Sequence, residues 1–260
     1  MRAVGWCVWV GWNPLGTLAA IKAVPAPGPS STPSPRSSGR GQRQPARRDA
    51  RALARAAIRE HGAAQKEGEL TALTRLLQSR RLRCVLEIGT MDGGTLWLWL
   101  QLAEPDAVVV SIDLPGGPFG GGYGARDAVR FRSWARSEQR LSLIRGDSHA
   151  PATMSRCRRC LGGRPIDLLF IDGDHSYVGC RRDYELYAPL VDPMGVIAFH
   201  DVVPHPGAPG CEVDRVWREL ATRGRAWEFV ERGGDRGWGP WGGIGVVERH
   251  AVDARFSTDP

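Results

Sequence analysis

The sequence predicts an α/β fold: a doubly wound, mostly parallel seven-stranded sheet with an N-terminal helical cap. Three observations carry this expectation. Strand-like and helix-like segments alternate from residue 83 to residue 223, and two late strand-like segments follow. The strand-like segments include continuous apolar runs, Val108-Val109-Val110 and Leu168-Leu169-Phe170-Ile171. The sequence has no internal repeat. Alternation implies parallel strands joined by crossover helices, and runs without polar alternation imply strands covered on both faces.

The elements follow in order. Residues 1–48 are expected to be a disordered tail, because the Pro-, Ser-, Gly- and Arg-rich stretch 24–48 cannot bury enough apolar surface to offset its ordering entropy. Residues 6–21 are apolar and Trp-rich, but Asn13-Pro14 interrupts them and only Arg2 precedes them, so they read as tail rather than signal peptide or membrane span. A domain is expected over 49–250, with a short tail over 251–260. Leu53, Ala56, Ala57 and Ile58 suggest one cap helix, and Leu70, Leu73, Leu76 and Leu77 a second. Strands are predicted at 83–88, 107–113, 141–145, 166–172 and 194–200, then near 226–231 and 243–248. Helices are predicted at 94–104, 126–138, 150–160, 177–189 and 211–223.

Charge and cysteine usage exclude several function classes. The formal net charge is +7, yet residues 1–50 hold seven Lys/Arg and one Asp, while the rest holds 28 basic and 27 acidic residues. The folded part is therefore nearly neutral and lacks the basic stripe of a nucleic-acid binder. Six Cys in a chain of this length do not suggest a disulfide scaffold, and Cys157-Arg-Arg-Cys160 has no second pair with which to hold zinc. These features predict a cytoplasmic protein with a small-molecule partner and no nucleic-acid or membrane partner. A homo-oligomer is compatible with them.

Ligands of a doubly wound sheet bind beyond the carboxyl ends of its strands, so the residues just after each strand are the candidates. After the first strand comes Glu87-Ile88-Gly89-Thr90-Met91-Asp92-Gly93-Gly94, where glycine permits a tight turn and close backbone approach. Met91 stands where a dinucleotide fingerprint has its second Gly. That loss matters less for S-adenosylmethionine, which carries no pyrophosphate. Asp113, after the second strand, is placed to accept from ribose hydroxyls; as an alternative it caps a helix. Asp147 and Ser148, after the third, either approach an adenine or cap the next helix. Asp172-Gly173-Asp174-His175 and His200-Asp201 follow the fourth and fifth strands. Neighbouring parallel strands would gather them in one crevice. Hard oxygen ligands such as Asp172 and Asp201 suit a divalent cation, and a His in such a cluster is a general-base candidate.

With these residues in view, the chain resembles class I S-adenosylmethionine-dependent methyltransferases over roughly 65–248. It looks closest to the metal-dependent branch of sugar O-methyltransferases and cephalosporin hydroxylase-like proteins. The segments IDLLFIDGDHSYVGCRRDYELYAPLVDPMGVIAFHDV, SIDLPGGPFGGGYG and IRGDSHAP carry the likeness. The resemblance implies a Rossmann-like sheet. It implies a cofactor site of Glu87, Gly89, Thr90, Gly93, Asp113, Asp147, Ser148 and Asp172. It further implies Mg²⁺ at Asp172, His200 and Asp201, and His175 as catalytic base. His200 departs from the carboxylate of the sugar enzymes and admits a softer metal; Met194-Gly195 departs from the usual Gly-Gly. The implied reaction is methyl transfer to a hydroxyl of a glycosylated or polyketide natural product. The alternative is a cephalosporin hydroxylase-like protein or an oxygenase accessory partner. The loop 116–124 is expected to be a lid bringing Phe119 and Tyr123 to the acceptor, with Trp238 and Trp241 lining its pocket.

Overall fold

A computed structural model describes residues 48–118, 121–231 and 242–249. Phe119, Trp238, Trp241 and almost all of the N-terminal segment lie outside the described residues. Two helices open the fold. α1 (Ala50–Arg59) starts where the Asp49 side chain accepts from the Arg51 backbone N–H, and it buries Leu53, Ala54, Ala57 and Ile58. α2 (Glu67–Leu77) buries Leu70, Leu73 and Leu77. Glu67 ties the pair together, accepting from Arg51 at 2.8 Å and from Arg55 at 2.9 Å. Exposed pairs of this kind contribute at most about 1 kcal/mol each, so the apolar faces hold the cap in place.

The alternating part then runs β1 (Cys84–Ile88), α3 (Gly94–Leu102), β2 (Val108–Asp113), α4 (Ala125–Trp134), β3 (Arg140–Arg145), α5 (Pro151–Leu161), β4 (Ile166–Ile171), α6 (Tyr177–Tyr187), β5 (Val191–Val203) and α7 (Val213–Ala221). β6 (Ala226–Phe229) and β7 (Gly242–Glu248) close it. One seven-stranded sheet has the order β3-β2-β1-β4-β5-β7-β6. β1 to β5 are mutually parallel, and β7 inserts antiparallel between β5 and β6. The chain thus turns outward in both directions from β1 and β4. That switch point is where a doubly wound sheet opens a crevice.

Side-chain alternation assigns the two faces. Val85, Leu168, Phe170, Val196 and Ala198 pack with the cap, with Trp99 of α3 and with Phe131 of α4. Leu86, Ile88, Leu169, Ile171, Ile197 and Phe199 pack with Cys157, Tyr184, Tyr187 and Trp217 of the opposite helices. Every residue of β1 and β2 is buried, whereas β3, at the sheet edge, is exposed at both ends. The predicted strands recur, most within a residue or two. β5 is the exception, running 13 residues from Val191, because it pairs with β4 over its early part and with β7 over its later part. α4 ends at Trp134, short of the predicted 138, where Ala135 turns to extended backbone.

Among the described residues, no helix is long and apolar enough to cross a membrane. The five described cysteines are free thiols.

Candidate active site

The carboxyl ends of β1 to β5 and the loop Gly62–Gln65 of the cap surround a cavity of about 450 Å³. This is within the range of small-molecule sites, about 300–1,000 Å³. Gly89, Thr90, Asp113, Asp147, Ser148, Asp172, His175, His200 and Asp201 all line it. Glu87 and Gly93 do not.

The turn after β1 is shaped by the protein around it. Gly89 has φ +87°, and a Cβ there would overlap the carbonyl oxygen of Asp172. Gly93, also at φ +87°, would press a Cβ within 2.5 Å of the Phe131 ring, and Gly94 would strike the backbone of Ala63. These glycines thus admit β4, α4 and the cap loop as close neighbours. The carboxylate of Asp113 completes the turn: Oδ2 accepts the backbone N–H of Thr90 at 3.0 Å and of Met91 at 2.6 Å. It therefore caps the turn rather than a helix. Burial raises its pKa, against the pull of those N–H donors. Beneath the turn, Thr90 and Ser111 share a short hydroxyl hydrogen bond. Glu87 is wholly buried and accepts from Trp99 Nε1 at 2.8 Å. Burial pushes its pKa up to about 8, although the polar side chains of Thr95, Trp99 and Thr90 beside it pull the other way. Its other oxygen, Oε2, has no hydrogen-bond partner.

After β3, Asp147 Oδ1 accepts the His149 backbone N–H at 2.8 Å, and the Ser148 carbonyl accepts from the Tyr187 hydroxyl at 2.8 Å. Neither side chain caps α5, whose N-cap is Ala150. His149 also lines the cavity. Its Nε2 lies 3.2 Å from Asp183 Oδ1, a fully buried carboxylate on α6. Hydrogen bonding to Asp183 raises the pKa of His149, against its partial burial.

The loops after β4 and β5 bring two carboxylates and two imidazoles into alternating contact. Asp172 Oδ1 lies 3.2 Å from His200 Nδ1 and 3.4 Å from His175 Nε2. Asp201 completes the ring: Oδ2 is 3.3 Å from His175 Nδ1 and Oδ1 is 3.6 Å from His200 Nδ1. Asp201 adopts φ +59°, uncommon for a side chain-bearing residue. Its Oδ1 is buried without a hydrogen-bond partner. Burial alone would keep both imidazoles neutral, but the two carboxylates outweigh it. They push His175 up to about 11 and His200 up to about 9. Burial likewise works against charge on Asp172, but the imidazoles draw it down to about 2.

Among the described residues, two groups of donor atoms lie close enough to share a metal ion: Asp172, His200 and Asp201, and separately His175, Asp201 and Cys211. The first is the set inferred from the resemblance. Neither group contains Cys157 or Cys160, and His175 and His200 fall in different groups.

The sequence reading missed Gln65, His149 with Asp183, and Cys211. Gln65 Nε2 donates to Asp172 Oδ2 at 2.8 Å from the loop between α1 and α2. Only contacts between segments far apart in the chain single these residues out. Tyr123, expected at the acceptor, is instead buried against Phe131, with ring centroids 5.1 Å apart.

Residues 86–202, from β1 into β5, match the family described as Methyltransferase domain. This segment resembles a methyltransferase domain. An uncharacterized protein of Sinorhizobium fredii, y4gI, is 27% identical over 153 residues, which is 56% of this chain and 16% of that protein. This chain thus spans about a sixth of the length of that curated relative. The O-methyltransferase TomG of Streptomyces achromogenes, involved in tomaymycin synthesis and solved with SAM, superposes with a TM-score of 0.51 at 21% identity, covering 77% of this chain and 89% of TomG. MycE of the mycinamycin biosynthetic pathway, solved with Mg and SAH, gives a TM-score of 0.50 at 17% identity, covering 85% of this chain and 58% of MycE. At these identities the solved structures establish the fold alone, a Rossmann-like, mostly parallel sheet.

Proposed function

We propose that this methyltransferase domain transfers the methyl group of S-adenosylmethionine to a hydroxyl oxygen of a small molecule, assisted by a divalent cation. One observation carries the reading: a single cavity joins the β1 turn and Asp113 at the switch point to a ring of two carboxylates and two imidazoles after β4 and β5. The O-methyltransferase activity of TomG and the Mg in MycE support it as properties of neighbours that share the fold.

The proposed roles follow from position. Thr90, Asp113, Asp147 and Ser148 form the end of the cavity that receives the nucleoside, and the turn holds its methionine part. S-adenosylmethionine supplies a methyl group already activated on a sulfonium, so the protein's tasks are alignment and removal of the acceptor's proton. Asp172, His200 and Asp201 fit a divalent cation, since they offer an O/N/O donor set in which Asp201 keeps a buried oxygen that makes no hydrogen bond. Bound there, the cation would polarise the acceptor hydroxyl and neutralise both carboxylates. His175 accepts the hydroxyl proton. In the metal-free ring it already carries a proton, because Asp172 and Asp201 flank it. It becomes a base when those carboxylates are neutralised by another charge. The acceptor class remains that of the resemblance, a glycosylated or polyketide natural product.

Calorimetry with S-adenosylmethionine, with and without Mg²⁺, tests the reading first. Saturable binding that tightens or turns productive with Mg²⁺ supports it; absence of binding under both conditions overturns it. Turnover that requires Fe²⁺ and oxygen would instead favour the hydroxylase alternative. The two imidazoles falling into separate donor groups argues against the two-His, one-carboxylate iron set.

A further inference from the structure

Cys211 has no part in the reaction proposed above, yet it sits against the cluster. It lies in the loop before α7, half-buried, with its backbone N–H donating to the Ala208 carbonyl at 2.8 Å. The neighbouring Glu212 N–H donates to the His175 carbonyl at 2.7 Å. The α7 and α6 loops are thereby joined, and Cys211 Sγ is held within 4.8 Å of a His175 ring nitrogen. Donor atoms of His175, Asp201 and Cys211 all lie within 4.8 Å of one another. Asp201, only 5% exposed, presents Oδ2 to His175 at 3.3 Å and keeps a buried Oδ1 that makes no hydrogen bond.

Sulfur, imidazole nitrogen and carboxylate oxygen make a borderline-soft donor set. Such a set suits Zn²⁺ far better than Mg²⁺, which takes oxygen ligands and gives up its water reluctantly. We propose that His175, Asp201 and Cys211 form a second, overlapping metal site that takes Zn²⁺ and competes with the catalytic arrangement. Zn²⁺ bound there coordinates the thiolate and the imidazole, the displaced protons leaving to solvent. It takes Asp201 away from the O/N/O set and His175 away from proton transfer. The site is therefore inhibitory, and thiol chemistry at Cys211 removes it. The metal-binding part stands on geometry alone; the inhibitory part rests on the methyltransferase reading.

The test uses the full chain with Co²⁺ as a spectroscopic stand-in for Zn²⁺. A thiolate-to-cobalt charge-transfer band should appear in the near ultraviolet, persist in Cys157→Ser and Cys160→Ser, and vanish in Cys211→Ser. On unmutated protein, Zn²⁺ should protect Cys211 from iodoacetamide by at least about tenfold in rate, whereas Mg²⁺ should not. This second readout needs no variant to fold. Absence of the band, its survival in Cys211→Ser, or equal protection by Mg²⁺ overturns the site. In the methyl-transfer assay with excess Mg²⁺, Zn²⁺ should lower turnover at least tenfold in the natural chain and far less in Cys211→Ser. Equal inhibition of both removes the inhibitory role. Failure to bind S-adenosylmethionine would sink the methyltransferase reading and leave the cobalt band unaffected.

Discussion

The two ends of the cavity handle buried charge in opposite ways. At the β1 turn, Asp113 is satisfied by backbone N–H groups of Thr90 and Met91, and the glycines are filled around by Asp172, Phe131 and Ala63. These partners cannot exchange. At the β4–β5 end, Asp172 and Asp201 are neutralised by imidazoles, which can lose a proton or yield to a cation. One end is fixed scaffold, and the other is a set of charges whose partners can be replaced. Substitutions at the first should therefore appear as lost stability, and at the second as lost or pH-shifted function.

The largest effect is expected at the scaffold. Gly89→Ala needs φ +87° and places a Cβ on the Asp172 carbonyl, so it should cost about 4 kcal/mol or more, read as a lowered midpoint in urea or as failure to fold. A loss under 1 kcal/mol would mean the turn can relax and that the contrast is overdrawn. Next comes the proposed base. His175→Ala should lower kcat by about 10²–10⁴-fold with S-adenosylmethionine affinity retained. Full activity would remove His175 from proton transfer.

The third prediction concerns pH. The flanking carboxylates raise the folded-state pKa values of His175 and His200 to about 11 and about 9, above the usual imidazole value of about 6.5. The stability they contribute is fully present below about 6.5 and is lost as pH climbs through the raised values. The Tm of metal-free protein should thus fall by several degrees, roughly 5 °C, between pH 7 and pH 10, and His200→Gln should flatten that fall. Asp172, lowered to about 2, acts in the other direction, its contribution disappearing only as pH drops below about 4 toward 2. A Tm that rises from pH 7 to pH 10 would contradict the exchangeable-charge picture. The smallest effect is a control on the first: Gly116 has φ +73° but nothing within 4 Å of a built Cβ. Gly116→Ala should therefore cost only about 1 kcal/mol by denaturation, the strain of the conformation alone.

This contrast also explains what the sequence revealed. β1, β2 and β4 were legible because strands buried on both faces must be apolar throughout, and the residues at their ends follow from the sheet rule. Asp172, His175, His200 and Asp201 were found this way. That the glycines of the turn admit protein neighbours could not be read, since Phe131 and Ala63 lie far from Gly93 and Gly94 in the chain. Gln65, His149 with Asp183, and Cys211 were hidden for the same reason: each gains meaning from a partner on another element. The placement of β7 between β5 and β6 is a choice of sheet order, to which strand periodicity is blind.

The hydrogen bond from Gln65 to Asp172 spans 107 positions of the chain. It lets the helical cap reach into the cluster from outside the segment that matches the methyltransferase family. Lys66, Gly68 and Glu69, at the start of α2, are bonded in turn to Glu231, beyond β6. A fragment trimmed to the matching core would leave one carboxylate oxygen without its amide partner. Conversely, exchanging caps between homologous chains would graft a new ligand-orienting group onto an old centre. The cap, residues 50–77, is therefore a place where selection, or an engineer, can retune the chemistry without touching a strand.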